Sequence, residues 1–441
     1  MKKLLSIIII SLFLIVGVSC DKSDPVGPTD WGLDPFSNGS SERNMVVVIS
    51  DIHLGANLDY SEINKNLKPL ENFLIKIRAA QNVKELVIAG DLLDEWFVPA
   101  TIDTYEGKGQ SDFVRRIAMA NKGVVDAFNN IIRDRNILVT YVPGNHDLTI
   151  TAANVESIFP GINQARDKVL GLGTYSPVDY PKIAIEHGHR YNFFCAPDPF
   201  SNQDIAPGTI MPPGYFFTRI AAQHVVQKYP PAGDKIPVVT QNVAGDGSQN
   251  LLFIYWKVWE WAIKYLTVEN KFNEKIIVTN VNGFTGNYSI NDILPYQSTA
   301  GGFIDVNLFK GIQDKWNERQ LLNKVVVNIP TAQAIANGAK DFETDDQANT
   351  QYFMNPNSNK KIVIFGHSHN AKIISSFNHS GQKVIYANTG TWIDHNNIAA
   401  TTMNFVVITP QIIDGSSQTF VKLYNFEGEV VTKMAEDSLM F

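Results

Sequence analysis

The sequence predicts a layered α/β protein, and two observations carry the prediction. Short β-branched runs alternate with helical periodicity from Met45 onward, the rhythm of sheets flanked by helices. Almost every run is followed at once by Asp, Asn or His, and ligand sites of open α/β sheets lie at the carboxyl ends of strands. With 441 residues, 44% of them hydrophobic and 18% charged, the chain has ample material for a packed core.

The first residues stand apart. Lys2 and Lys3 precede an apolar run from Leu4 to Val18, shorter than the roughly 20 residues a membrane-spanning helix needs. The run ends at Ser19 and Cys20, and polar Asp21, Lys22, Ser23 and Asp24 follow. This resembles a bacterial lipoprotein signal, although Gly17 stands where that pattern prefers Leu. The resemblance implies a signal peptide over 1–19, a lipidated Cys20 and a cell-envelope protein anchored to a membrane, facing the periplasm or the cell exterior. An ordinary cleaved signal and an uncleaved anchor are the alternatives. Residues 20–44, rich in Pro, Gly, Ser and Asp, read as a flexible tether.

The formal net charge is −7, and loss of Lys2 and Lys3 would make it more negative by two. Such a chain would repel nucleic acid unless it carried a local basic patch, and none is evident, so no nucleic-acid partner is expected. Cys195 is the only cysteine after Cys20, which excludes an intrachain disulfide in a chain cleaved before Cys20 and lipidated there.

Strands are expected at Met45 to Ser50, Glu85 to Gly90, Ile137 to Pro143, Ile183 to Glu186, Lys361 to Phe365 and Lys383 to Ala387, with Phe405 to Thr409 and Phe420 to Tyr424 completing the sheets. Between them, residues 195–359 replace the strand rhythm with helical and aromatic patterns. Helices are expected at Tyr215 to Lys228, Leu251 to Thr267 and Gly311 to Lys324, within one long insertion that interrupts a domain spanning 45–441. In Leu251 to Thr267, Leu252, Trp256, Trp259 and Leu266 recur near helical spacing. Such a stripe is more often core than ligand site; the competing reading is a lid over a lipid or nucleobase portion of a ligand.

The polar clusters after the strands are Asp51 and His53, Asp91 and Asp94, Gly144 to Asp147, His187 to His189, and Gly366 to His369. A lone histidine in such a place is ordinarily a hydrogen-bonded structural residue, but five clusters in register converge on one crevice. Carboxylate, amide and imidazole donors suit borderline divalent ions, and the lack of thiolates argues against a structural zinc site.

The segments Asp51-Ile-His53, Gly90-Asp91-Leu-Leu-Asp94, Gly144-Asn145-His146-Asp147, His187-Gly188 and Gly366-His367-Ser368-His369 resemble, in order and spacing, the successive motifs of the calcineurin-like metallophosphoesterases. Asn388-Thr389-Gly390-Thr391-Trp392 is similar to a stretch common after the last motif. The resemblance implies a four-layer α/β/β/α sandwich. It implies that Asp51, His53 and His369 bind one divalent ion, that Asn145, His187 and His367 bind another, and that Asp91 bridges them, with Mn preferred and Fe or Zn as alternatives. It implies a phosphomonoesterase or phosphodiesterase in which a bridging hydroxide attacks phosphorus in line. His146 would then face the phosphoryl group or protonate the leaving alkoxide, and Asp147 would orient His146. Purple acid phosphatases carry Tyr where this chain has Asp94, so Asp94 reads as a partner that orients a ligand histidine. His189 is left between substrate contact and a structural role. His224 and His379 read as structural, and His395 is left open. The resemblance implies a phosphoester substrate, with a lipid-linked ester or a nucleotide as the candidates. A scaffold or binding lipoprotein that keeps the fold without catalysis is the alternative.

Overall fold

In the computed structural model the described residues are 34–230, 236–269, 272–413, 416–428 and 430–441; the expected leader and Cys20 lie outside them. Residues 35–441 form one unit. Its elements begin with β1 (Met45–Ile49), α1 (Leu67–Ala79), β2 (Val83–Ala89), α2 (Gln110–Ala120), α3 (Lys122–Asp134), β3 (Leu138–Val142), α4 (Ala152–Ile158), β4 (Asn163–Gln164) and β5 (Ile183–Ile185). The insertion adds α5 (Pro213–Val226), α6 (Gly247–Tyr265), β6 (Ile277–Val278), β7 (Asn287–Tyr288), α7 (Ile290–Ile293), β8 (Tyr296–Gln297), β9 (Ile304–Asp305), α8 (Trp316–Leu322), α9 (Thr331–Asn337) and α10 (Glu343–Ala348). The chain returns through β10 (Ile362–Phe365), β11 (Lys372–Phe377), β12 (Lys383–Asn388), β13 (Asn404–Ile413), β14 (Ser416–Glu427) and β15 (Val430–Met440).

These strands make a seven-stranded sheet, β15-β14-β13-β1-β2-β3-β4, and a four-stranded sheet, β11-β12-β10-β5. Side chains alternate between the faces of a strand, and the alternation separates the layers. Val46, Val48, Val87, Ala89 and Val142 from the first sheet meet Ile183, Ile185, Ile362, Ile364 and Ile385 from the second in one apolar layer. Val47, Ile49, Leu86 and Ile88 face the other way. There they meet α1, whose Leu70, Phe73, Leu74 and Ile77 recur at helical spacing and are buried. The outer face of the second sheet is covered by Tyr191, just ahead of the insertion, and by the insertion itself: Tyr191 and Tyr352 pack on Phe365, and Tyr386 donates to Thr344 of α10 at 3.0 Å. The α/β/β/α order is thus built as expected.

Two expectations need correction. The tether read over 20–44 ends earlier, because Phe36 is buried against Phe73 and Phe405 at ring distances of 5.8 and 5.7 Å. Asn38 and Arg43 then bond the strand edge through Asn82, Ala80 and Val83. The helix expected from Gly311 begins only at Trp316, since Phe309 and Gly311 take left-handed φ values of 63° and 73°. The insertion is helical but also holds two small ribbons, β6-β7 and β8-β9. No helix among the described residues is long and apolar enough to cross a membrane.

Phe36→Ala should destabilise the protein by about 3 kcal/mol, the range for truncating a buried aromatic. A denaturant midpoint unchanged from wild type would show that residues before Met45 do not belong to the core.

Candidate metal centre

The parallel trio β1-β2-β3 and the parallel trio β5-β10-β12 end in loops that backbone hydrogen bonds stitch together. His53 N donates to Asp91 O at 2.9 Å, Glu95 N to His146 O at 3.0 Å, Gly366 N to His187 O at 3.2 Å and Trp392 N to Asp51 O at 3.0 Å. The two sheets therefore deliver their terminal residues to one place.

The seven residues expected as ligands gather there. Asp91 Oδ2 lies 3.1 Å from His187 Nε2 and 3.7 Å from His53 Nε2. On the β10 side, His369 Nε2 is 3.1 Å from Asp51 Oδ1, and the His367 amide donates to Asp51. Asn145 Oδ1 is 3.0 Å from His187 Nε2, and the His367 ring stands 5.1 Å from the His187 ring. Donor atoms of Asp51, His53 and His369 lie within 4.8 Å of one another, and so do those of Asp51, Asp91 and His187.

The backbone is strained to achieve this. Asp51, His53, Asp91, His367 and His369 have φ of 52°, 55°, 51°, 69° and 55°. Asp, Asn and His tolerate the left-handed region best among residues with a Cβ, but each still costs on the order of 1 kcal/mol. Gly144 shows how tight the cradle is. A Cβ there would stand 2.1 Å from Asp91 Oδ1, so glycine alone admits the carboxylate.

The neighbouring polar residues divide by partner. Asp94 holds two imidazoles, Oδ2 meeting His53 Nδ1 at 3.0 Å and Oδ1 meeting His146 Nδ1 at 2.9 Å. The His146 ring stacks on Trp96 at 5.1 Å. Asp147, expected to orient His146, instead accepts from the amides of Gly144 at 2.6 Å, Leu92 at 2.9 Å and Leu93 at 3.2 Å. Those three donors occupy its carboxylate, so it pins two ligand loops and leaves the orienting task to Asp94. His189 is buried and meets Gly171 O through Nε2 at 3.0 Å, the structural side of its two readings. His224 is buried on Thr267 O, while His379 and His395 are exposed.

One contribution escapes the sequence, and another is legible there only as a resemblance. Glu62 Oε2 lies 3.3 Å from His53 Nδ1, although Glu62 sits in no motif and gave no signal. The Asn388 to Trp392 stretch was noticed by resemblance alone. Its work is mechanical: Asn388 Nδ2 donates to Gly366 O at 2.7 Å and Thr391 Oγ1 to Asp51 O at 2.9 Å.

The electrostatics suit a cation. Asp51 and Asp91 are buried, and among the described residues no Lys or Arg pairs with either. Burial pushes the Asp91 carboxyl up, but His187 and His146 outweigh it and hold it well below the usual range. Burial likewise lowers His187, while Asp91 and Asp51 outweigh it and hold the imidazole up at about 9. His367 is pushed down to about 3 by burial and by His187, leaving a neutral ring. His53 Nε2 is buried with no hydrogen-bond partner, an expensive arrangement unless it serves as a donor to a cation. Carboxylate, amide and imidazole with no thiolate match Mn, Fe or Zn, so the residues present fit a divalent pair.

Below about pH 9 the His187 proton must leave when an ion binds. Divalent-ion affinity should therefore rise by up to about tenfold per pH unit toward that value. Calorimetry in buffers of differing ionisation enthalpy should find a proton released; constant affinity between about pH 6 and 8 would refute the competition.

Residues 45–209 match the family model described as calcineurin-like phosphoesterase. No curated protein sequence matches the chain at a significant level. Among solved structures, a Vps29 single mutant from Entamoeba histolytica is similar at 10% identity, over 90% of this chain and 99% of that one, with a TM-score of 0.27. A nuclease MPE from Pseudomonas putida is similar at 17% identity over 33% of this chain, with a TM-score of 0.20. This chain spans about half of that nuclease, 54%. Likeness at that level leaves the assignment to the family match and to the clustered motifs: over residues 45–209 the chain carries a calcineurin-like phosphoesterase domain.

Proposed function

We propose that the protein is a metal-dependent phosphoester hydrolase of the bacterial cell envelope. Asp51, His53 and His369 would hold one divalent ion, Asn145, His187 and His367 a second, and Asp91 would be shared. The observation that carries this reading is Asp91 Oδ2 between two histidines, 3.1 Å from His187 and 3.7 Å from His53. When bound, such a pair supplies Lewis-acid polarisation of the phosphoryl group and a water acidic enough to be a nucleophile at neutral pH.

The chain's own residues would supply the rest. Asp94 accepts from His146 Nδ1, so Nε2 is the His146 atom available to substrate. Burial lowers His146, but Asp94 and Asp91 outweigh it and raise its pKa. The imidazolium then persists above its ordinary range and can give its proton from Nε2 to the leaving alkoxide. Trp96 keeps the ring in one plane. Asp147 keeps the β2 and β3 loops in register and so holds Asp91 and Asn145 in place. Orientation of a ligand or acid by a fixed second carboxylate is what Asp94 and Glu62 provide.

The test is the full chain purified in detergent, stripped of metal and reloaded with Mn, assayed on aryl and bis-aryl phosphates. Metal bound with no turnover on either would leave the scaffold reading instead. His146→Ala should lower kcat by about 10²- to 10⁴-fold with metal content intact. A group with a raised pKa keeps its proton to higher pH. Asp94→Asn should therefore lower the His146 pKa and move the alkaline limb of the kcat profile to lower pH; an unmoved limb would remove His146 as the acid.

We infer that acylation of Cys20 holds the protein on a membrane, since several buried acyl chains anchor stably. Cys20→Ala should release it from washed membranes, and retention there would mean that the apolar run from Leu4 to Val18 is itself the anchor.

A further inference from the structure

A cavity of about 350 Å3 starts at Asp91, Asn145, His146 and His367 and runs into the insertion. There it is walled by Phe194, Phe217, Val258, Trp259 and Ala262, while Trp261, Lys340, Asp341 and Ile398 form an exposed rim. The metal centre would hold the phosphoryl group at one end, so this wall decides what the rest of the substrate can be.

Asn192, Thr218 and Thr344 along the wall are already engaged, and the unpartnered Trp96 Nε1, Trp259 Nε1 and Ser368 Oγ are buried away from solvent. Asn192 Oδ1 accepts from the amides of Phe194 and Cys195 at 2.8 and 3.1 Å, and its Nδ2 donates to Gly338 O at 2.9 Å and to Glu343 at 2.5 Å. Thr218 donates to Gly214 O at 2.9 Å, and Thr344 accepts from Tyr386 at 3.0 Å. Burial pushes the Glu343 carboxyl up to about 8, so it adds no charge at neutral pH. A nucleobase or sugar would bring donors and acceptors against surfaces with little left to answer them, at a cost for each unpaired group. An aliphatic group brings none.

We propose that the cavity seats an aliphatic chain, so that the protein acts on phosphoesters of hydrophobic alcohols. This rests on the hydrolase reading above for the chemistry, but the binding of the chain can be measured apart from it. Volume agrees, since small-molecule sites start at roughly 300 Å3. The helix that supplies Val258, Trp259 and Ala262 also packs Leu252, Trp256 and Ile263 into the core. The wall is therefore rigid on its far side.

Methyl-, butyl- and hexylphosphonate, which cannot be hydrolysed at phosphorus, are titrated into the Mn-loaded full chain in detergent by calorimetry. Affinity should tighten about threefold to fourfold per added methylene, and Val258→Asn or Trp261→Ser should flatten the gradient. Equal affinity for all three, a gradient untouched by both substitutions, or adenosine monophosphate binding more tightly than hexylphosphonate would overturn the proposal. Turnover of methyl and hexyl phosphate is measured separately. A gradient in binding with no turnover of either ester fells the hydrolase reading and keeps the cavity; turnover without a gradient does the reverse.

Discussion

Everything in the site turns on one buried carboxylate. Asp91 sits at the end of β2, its peptide carbonyl accepts from the amides of Ile52 and His53, and its Oδ1 accepts from the His146 amide at 2.8 Å. Its Oδ2 faces His187 from the other sheet. Three loops of one sheet and one of the other are thus referenced to a single residue. A charge so buried without Lys or Arg is tolerable only if imidazolium or a metal ion neutralises it.

That constraint explains the local backbone. Donor atoms within 4.8 Å of one another cannot all be reached by extended strands, so the chain turns sharply as each strand ends. The turn residues themselves become the candidate ligands, in left-handed conformations that five of the seven adopt. Strain of this kind persists only where the surroundings over-determine it. Here the apolar layer between the sheets does so, with Val48, Val87, Ile185 and Ile364 locking the strands just before the turns. Preorganisation of this sort lets donors meet a charge without reorganising.

The insertion plays a different part. It covers the outer face of the four-stranded sheet and, through α6, faces the candidate metal centre across the cavity. One helix therefore both packs the core and lines the cavity. Trp256 and Tyr255 are core, while Trp259 is shared between core and cavity wall. Loss of the wall would leave the ligand cluster standing, because no cluster donor comes from the insertion.

Sequence alone determined the strands that bury both faces, since β-branched runs such as Val46 to Ile49 have no other stable place, and the polar clusters that follow them. It also determined the order of the motifs and hence the layered class. What it could not determine were features whose cause lies elsewhere in the chain. β15 mixes polar and apolar residues with no clear alternation, has one buried position, and exists because β14 offers its edge from Gln418 to Glu427. Phe36 is an isolated aromatic in a polar stretch until Phe73 and Phe405 surround it. Asp147 and Asp94 both read from the sequence as carboxylates that orient histidines; only the positions of the Gly144, Leu92 and Leu93 amides decide that Asp147 clamps loops while Asp94 holds imidazoles. Periodicity and residue type are local properties, whereas a hydrogen-bond partner far along the chain is chosen by the packing of the whole fold.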